Sequence, residues 1–296
     1  MPPPLTVDRV LSSWTLDGPV VLIAVVVSIV YLWGARRRGD WPRSRTILFV
    51  VGIALSVLIT CSVLGVYAHS LFWALAVQDI LLLALVPLPL VLGQPLQLFR
   101  TGQPRVGLPP ALGALGGLVA LLALYVTDLD RLRLEHQGVL VACQVGLVVI
   151  GCGFIGPLLG THGGSYGGRT LVAFVDGLLD AVPGIAVLSS HGRIAASYYA
   201  QHPRSWGPGV ARDQEIGGSA MVALAEIVGL PTFLVLLVQW VRSDAREATR
   251  TDLVLDALTP VEVNEPMLQR PWWEVDPGPL DDRVRRQGWN EAGQPP

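Results

Sequence analysis

The sequence predicts an all-α integral membrane protein, a bundle of seven transmembrane helices with its N-terminus outside and its C-terminus cytoplasmic. Three observations carry that prediction. Of the 296 residues 51% are hydrophobic and only 15% are charged, at a mean hydropathy of +0.51, whereas soluble domains carry about a quarter charged residues. Apolar runs of roughly 20 residues, the length a bilayer requires, recur along the first four-fifths of the chain. Arginines concentrate in alternate connections, as the positive-inside rule demands of cytoplasmic loops.

The first run, 18–34, follows the mixed-charge, Pro-rich segment MPPPLTVDRVLSSWTLDGP. That segment is a poor match to a basic leader with a short apolar core, so the run is expected to be a retained helix. The remaining runs lie near 46–66, 71–93, 108–126, 138–159, 170–190 and 216–240, separated by polar or Pro/Gly-rich connections. With no water at that depth, each must be a helix that satisfies its own backbone. The first connection, GARRRGDWPRSR, holds Arg36, Arg37, Arg38, Arg43 and Arg45 and is assigned to the cytoplasm. Arg100 and Arg105 in the third connection and Arg242, Arg246 and Arg250 after the last run agree; Arg193, Arg204 and Arg212 argue mildly the other way. Trp14, Trp33, Trp41, Trp73 and Trp240 fall near predicted helix ends, where an interfacial belt belongs. The expected division is an extracytoplasmic segment 1–17, a membrane domain 18–240 and a charged, Pro-rich cytoplasmic tail 241–296 without fixed structure. Within that tail, RPWWEVDP reads either as a stretch touching the membrane surface or as a docking peptide.

Charge and cysteine usage exclude several classes. A net charge of −2 leaves no basic excess for nucleic acid. Cys61, Cys143 and Cys152 all lie in apolar runs, as buried small hydrophobes do, and no CxxC or CxxH motif is present.

Polar groups in hydrocarbon are costly, so function is sought among those the spans contain. They are Gln78 and Asp79 in the third span, Gln144 in the fifth, Asp176 and Asp180 in the sixth and Glu226 in the seventh. Spans three, five and seven enter from the outer face, which puts Asp79 roughly 13 Å down its helix and turns the polar chemistry outward. His69, Asp128, Asp130, His136, His191, His202, Asp213 and Gln214 lie on the same side. Gln78 and Asp79 read either as a functional pair or as hydrogen bonds to a neighbouring helix. Asp176 and Asp180, four apart, share one face and repel if both are ionised; no Lys or Arg is expected in a helix to partner them. Asp213 reads as the N-cap of the seventh helix, and Glu226 as functional or paired.

The order of segments resembles the CtaG-type cytochrome c oxidase assembly factors of bacteria. The stretches that carry the resemblance are SSWTLDGPV leading to YLWG, RRGDWPRSR, LFWALAVQDILLLALVPLPLVLGQPLQL and RDQEIGGSAMVALAEI, within about residues 10–245. The resemblance implies a seven-helix protein of the bacterial plasma membrane that helps to mature the copper centre of a terminal oxidase of the respiratory chain. Its implied partners are the lipid bilayer and an oxidase subunit or other assembly factors. It also implies a His-Met-x-x-His element opening the third span and histidines in the fifth, but this chain has Leu75, Ala76 and Asp79 at the first element and Leu140 and Gln144 at the second. A carboxylate is a poor ligand for Cu(I), which prefers thiolate, thioether or imidazole. The expectation is a divergent member, a membrane chaperone and not an enzyme, without the usual copper ligands and with copper at most a possible cofactor. Asp79, His136, Cys143 and His69 remain weak metal candidates, and Cys61, Cys143 and Met221 with His136 a conceivable replacement set; Cys61, Cys143 and Met221 as three buried structural residues is the plainer reading. Two other classes compete: an intramembrane metal-dependent hydrolase and a small ion-coupled transporter using Asp79, Asp176, Asp180 and Glu226.

Overall fold

A computed structural model describes residues 2–99, 109–159, 166–190, 192 and 194–258. It is all-helical, and the described residues contain no strand. The described residues fall into two units that divide after Ala245. Among the described residues six helices or helix pairs are long and apolar enough to cross a membrane, and up to seven if one bent pair counts as a span.

After a short α1 (Val7–Ser12), the first span is α2 (Gly18–Arg38). The Asp17 carboxylate accepts from Val20 N and so caps its first turn. Arg36, Arg37 and Arg38 occupy its last turn, where positive charge suits the helix dipole, and Gly39 ends it at φ +68°. The second span joins α3 (Arg43–Cys61) and α4 (Val63–Ala68), broken at Ser62. Tyr31 of α2 stacks on Phe49 of α3 and donates to Gly93 O at 2.8 Å, while Trp41 Nε1 donates to the Tyr31 hydroxyl.

The third span is α5 (Phe72–Ile80), a π-helical turn (Leu81–Leu85) and α6 (Pro87–Leu92), followed by α7 (Pro95–Phe99). Pro87 has no N–H to donate to Leu83, so the ladder shifts and Val86 N donates to Leu81 O instead. The Leu83 carbonyl then lies against Gly151 of the fifth span, where an added Cβ would come within 2.0 Å of the oxygen. The fourth span, α8 (Pro110–Val126), turns by 74° into α9 (Leu129–Glu135). The fifth is α10 (Gln137–Leu159), the sixth α11 (Tyr166–Ser189); α12 (Ala196–Gln201) leads into the long α13 (Val210–Leu258). The core runs through the third span, with Leu75, Ala76, Leu82 and Val86 at most 1% exposed, and the outward faces of α2, α11 and α13 are apolar and exposed, as a lipid-facing surface requires.

Each predicted run coincides with a helix, and the ends differ. The last helix begins at Val210 and not near 216, and it continues to Leu258 beyond the expected boundary at 240. Arg100, Arg105, His191, Arg193 and the RPWWEVDP stretch lie outside the described residues.

Candidate functional site

Antiparallel threading places the chain segments around Asp17, His69, α9, α12 and the start of α13 at one end of the bundle, opposite Arg36–Arg38. At that end lies a buried charge cluster. Asp79, 0% exposed on α5, accepts from the Tyr125 hydroxyl at 2.5 Å and pairs with Arg133 Nη1 at 2.7 Å. The Arg133 guanidinium, also 0% exposed, turns its Nε and Nη2 to Asp130 Oδ1 at 2.8 and 2.5 Å. The bend after Val126 makes this possible, because it folds α9 back over the bundle so that Asp130 and Arg133, three apart, share its inner face. Two carboxylates face one guanidinium, and among the described residues Asp79 Oδ1 and Asp130 Oδ2 accept no hydrogen bond. Tyr199 of α12 is buried, its hydroxyl without a hydrogen bond among the described residues, and burial together with the nearby Asp130 and Asp213 charges pushes its pKa well up.

The hydrogen bond from Tyr125 of the fourth span is the contact to a neighbouring helix that one reading of Asp79 expects. The ion pair with Arg133 was not expected, because the charged stretch TDLDRLRLEHQ concealed it.

Asp213 also acts differently from its expected role. It lies inside the first turn of α13, and its carboxylate caps another helix: Oδ2 accepts from Phe72 N at 3.0 Å and Oδ1 from Trp73 N at 3.1 Å, the orphan donors of α5. The reason is the earlier start of α13, which moves Asp213 from the helix boundary onto a face packed against α5. Arg204 Nη2 pairs with it at 2.8 Å and donates to Pro208 O, and Nη1 donates to Ser70 O. Next to it, Gln214 Oε1 accepts from Ile194 N while Nε2 donates to Val187 O, which fastens the connection between α11 and α12. One turn on, Gly217 lets the Phe72 ring lie on the helix backbone; a Cβ there would come within 2.6 Å of the ring. The RDQEIGG stretch is thus a node joining α5, α11 and α13.

Of the other candidates, Gln78 Nε2 donates to Ile59 O at 3.1 Å, and the carbonyl oxygens of Gln78 and Gln144 are buried without a donor among the described residues. Both line a cavity of about 410 Å³ with Asp17 and His69. His136 is exposed between α9 and α10, Cys143 is half-buried within the field of Arg133, Asp79 and Asp130, and Cys61 and Met221 are buried in apolar packing. Among the described residues no three His, Cys, Asp or Glu side chains gather as a metal site. Asp176 is 8% exposed and faces a small cavity of about 50 Å³ between α8, α10, α11 and α13, with Asp180 also on its wall. Glu226 is exposed, roughly 24 Å along α13, and its charge reaches Asp180.

Fold and site together define a multi-pass helical membrane protein whose polar chemistry is gathered in buried pairs at one end. The chain belongs to the cytochrome c oxidase caa3 assembly factor family (Caa3_CtaG), whose model matches residues 29–243. It is similar to uncharacterised proteins of Mycobacterium bovis and Mycobacterium tuberculosis, each 27% identical over 87% of this chain and 44% of theirs. A Mycobacterium leprae protein is 25% identical over the same shares. The chain therefore spans less than half the length of these relatives. No solved structure matches it.

Copper, the metal the family resemblance implies, does not fit the residues at Asp79. Its neighbour Leu75 offers no donor, and the guanidinium 2.7 Å away already occupies the place of a cation. A second positive charge beside it would be repelled in a medium that screens poorly.

Proposed function

We propose that the chain assists the assembly of a terminal oxidase in the bacterial plasma membrane, acting as a chaperone in the maturation of its copper centre without catalysis of its own and without holding copper at Asp79. The family supports the assembly role. The observation that carries the second half is the Arg133 guanidinium between Asp79 and Asp130, which supplies internally the charge a bound metal would supply. In this reading the basic end of the bundle, with Arg36–Arg38, is cytoplasmic, residues 1–17 are extracytoplasmic, residues 18–240 form the membrane domain and 241–296 a cytoplasmic tail. Gln78, Asp79, Gln144, Asp213 and Gln214 then lie near the outer face, where an oxidase subunit is the partner. Purification from native membranes in mild detergent, with metal analysis and identification of co-purifying chains, tests it. The expected result is an oxidase subunit with copper well below one ion per chain; stoichiometric copper that disappears in Asp79→Asn contradicts it.

A further inference from the structure

Five arginines fall within residues 36–45, at the end of the bundle opposite the buried cluster. We infer that this turn between the first two spans, with Trp33 and Trp41, is a binding site for the phosphate of an anionic phospholipid headgroup.

Position comes first. The apolar span α2, 21 residues long, ends in Arg36, Arg37 and Arg38, and α3 begins at Arg43. A helix of that length just crosses the hydrocarbon core, so the turn lies at the depth of the headgroups. Trp33, 52% exposed and one helical turn before the arginines, carries the amphipathic ring that this depth favours.

Geometry then gathers the charges. Gly39 ends α2 at φ +68°, and Trp41 stands in the turn that follows as a fixed platform. Its Nε1 donates to the Tyr31 hydroxyl at 3.0 Å, and that hydroxyl is itself anchored on Gly93 O. Two guanidinium groups from different helices lie against this one ring, Arg38 with its Cζ 5.9 Å and Arg45 with its Cζ 5.0 Å from the ring centre. Arg37 lies over Trp33 in the same way, at 3.7 Å. A guanidinium held on a ring face keeps its N–H edge open to an oxyanion.

Charge selects the ligand. Arg36, Arg37 and Arg43 are exposed, and neither they nor Arg45 form an ion pair among the described residues. Asp40, the one acid in the turn, pairs with none of them. Like charges gathered on one ring repel, and an anion shared between them relieves the repulsion. At headgroup depth the anion at hand is a lipid phosphate, which arginine binds through paired N–H groups. A zwitterionic headgroup brings its own ammonium, so a lipid with net negative charge is the one selected. The inference does not rest on the assembly role and survives if that role fails.

The full chain in neutral detergent micelles, titrated with phosphatidylglycerol, phosphatidylcholine or inorganic phosphate while its thermal midpoint is followed, tests the site. Phosphatidylglycerol is expected to raise the midpoint saturably, and the other two to leave it unchanged at the same concentrations. Arg37→Gln and Arg45→Gln are each expected to weaken the apparent affinity for phosphatidylglycerol about fivefold, the strength of one basic residue at an anionic surface. Trp41→Leu, which keeps every charge and removes the platform, is expected to weaken it as well. Arg131→Gln, which removes an exposed arginine from α9 at the opposite end, is expected to leave the affinity at the wild-type value. Absence of a saturable rise, an equal response to phosphatidylcholine or to inorganic phosphate, affinities unchanged in both turn variants, or an equal loss in Arg131→Gln overturns the proposal.

Discussion

Arg133 is held between Asp79 and Asp130 away from solvent, and that arrangement ranks the substitutions around it. Arg133→Met strands two buried carboxylates and is expected to cost about 3–5 kcal/mol, the range for breaking a buried pair from one side. Asp79→Asn leaves Arg133 balanced one-to-one by Asp130 and keeps an acceptor for Tyr125, so it is expected to cost less. Thermal unfolding in detergent checks the order, and equal losses would show that the ion pairs do not set it. His69 gives a pH prediction with a definite sign. Its folded pKa lies below the ordinary 6.5, so the unfolded chain binds the proton more readily and stability falls as pH drops through that value. The wild type is expected to lose more of its thermal midpoint between pH 7.5 and 5.5 than His69→Gln; an equal loss removes His69 from the explanation. At this scale the sequence exposed Gln78, Asp79, Gln144, Asp213 and Gln214, because a polar residue in an apolar run stands out. It concealed Arg133 and Tyr125. Arg133 sits in a stretch that reads as a solvated connection, and the one signal available was its spacing of three from Asp130 among leucines 129, 132 and 134.

Elements meet closely where small residues allow it. Gly151 leaves room for the Leu83 carbonyl at the π-helical turn, and a Cβ would clash with that backbone oxygen at 2.0 Å. Gly151→Ala is therefore expected to destabilise by about 1–3 kcal/mol, the usual cost of overpacking, in the same unfolding assay; a change near zero would mean that the third and fifth spans separate freely. Asp213→Ala removes two caps and the partner of Arg204, and a loss of about 2 kcal/mol follows from the cap range. Asp213→Asn, which can still accept from Phe72 N and Trp73 N, is expected to recover part of it; no recovery would assign the effect to the ion pair alone. The positions of the apolar runs were readable because length and hydropathy dictate a span. Helix ends, the 74° turn into α9 and the π-helical turn were not, since each depends on contacts between segments distant in sequence.

For the whole molecule, composition alone fixes the class, and the described residues contain six spans or up to seven. The seventh is α8, whose 17 residues reach a span only together with the bent α9. The family model spans most of the membrane domain, and the buried cluster at Asp79 lies within the residues it matches. The most direct test of the account is the spectroscopic content and activity of the terminal oxidase in membranes of cells lacking this chain. The account predicts a clear loss of assembled oxidase, restored by the wild-type chain and restored poorly by Arg133→Met. Oxidase content and activity equal to those of the parent strain would contradict it.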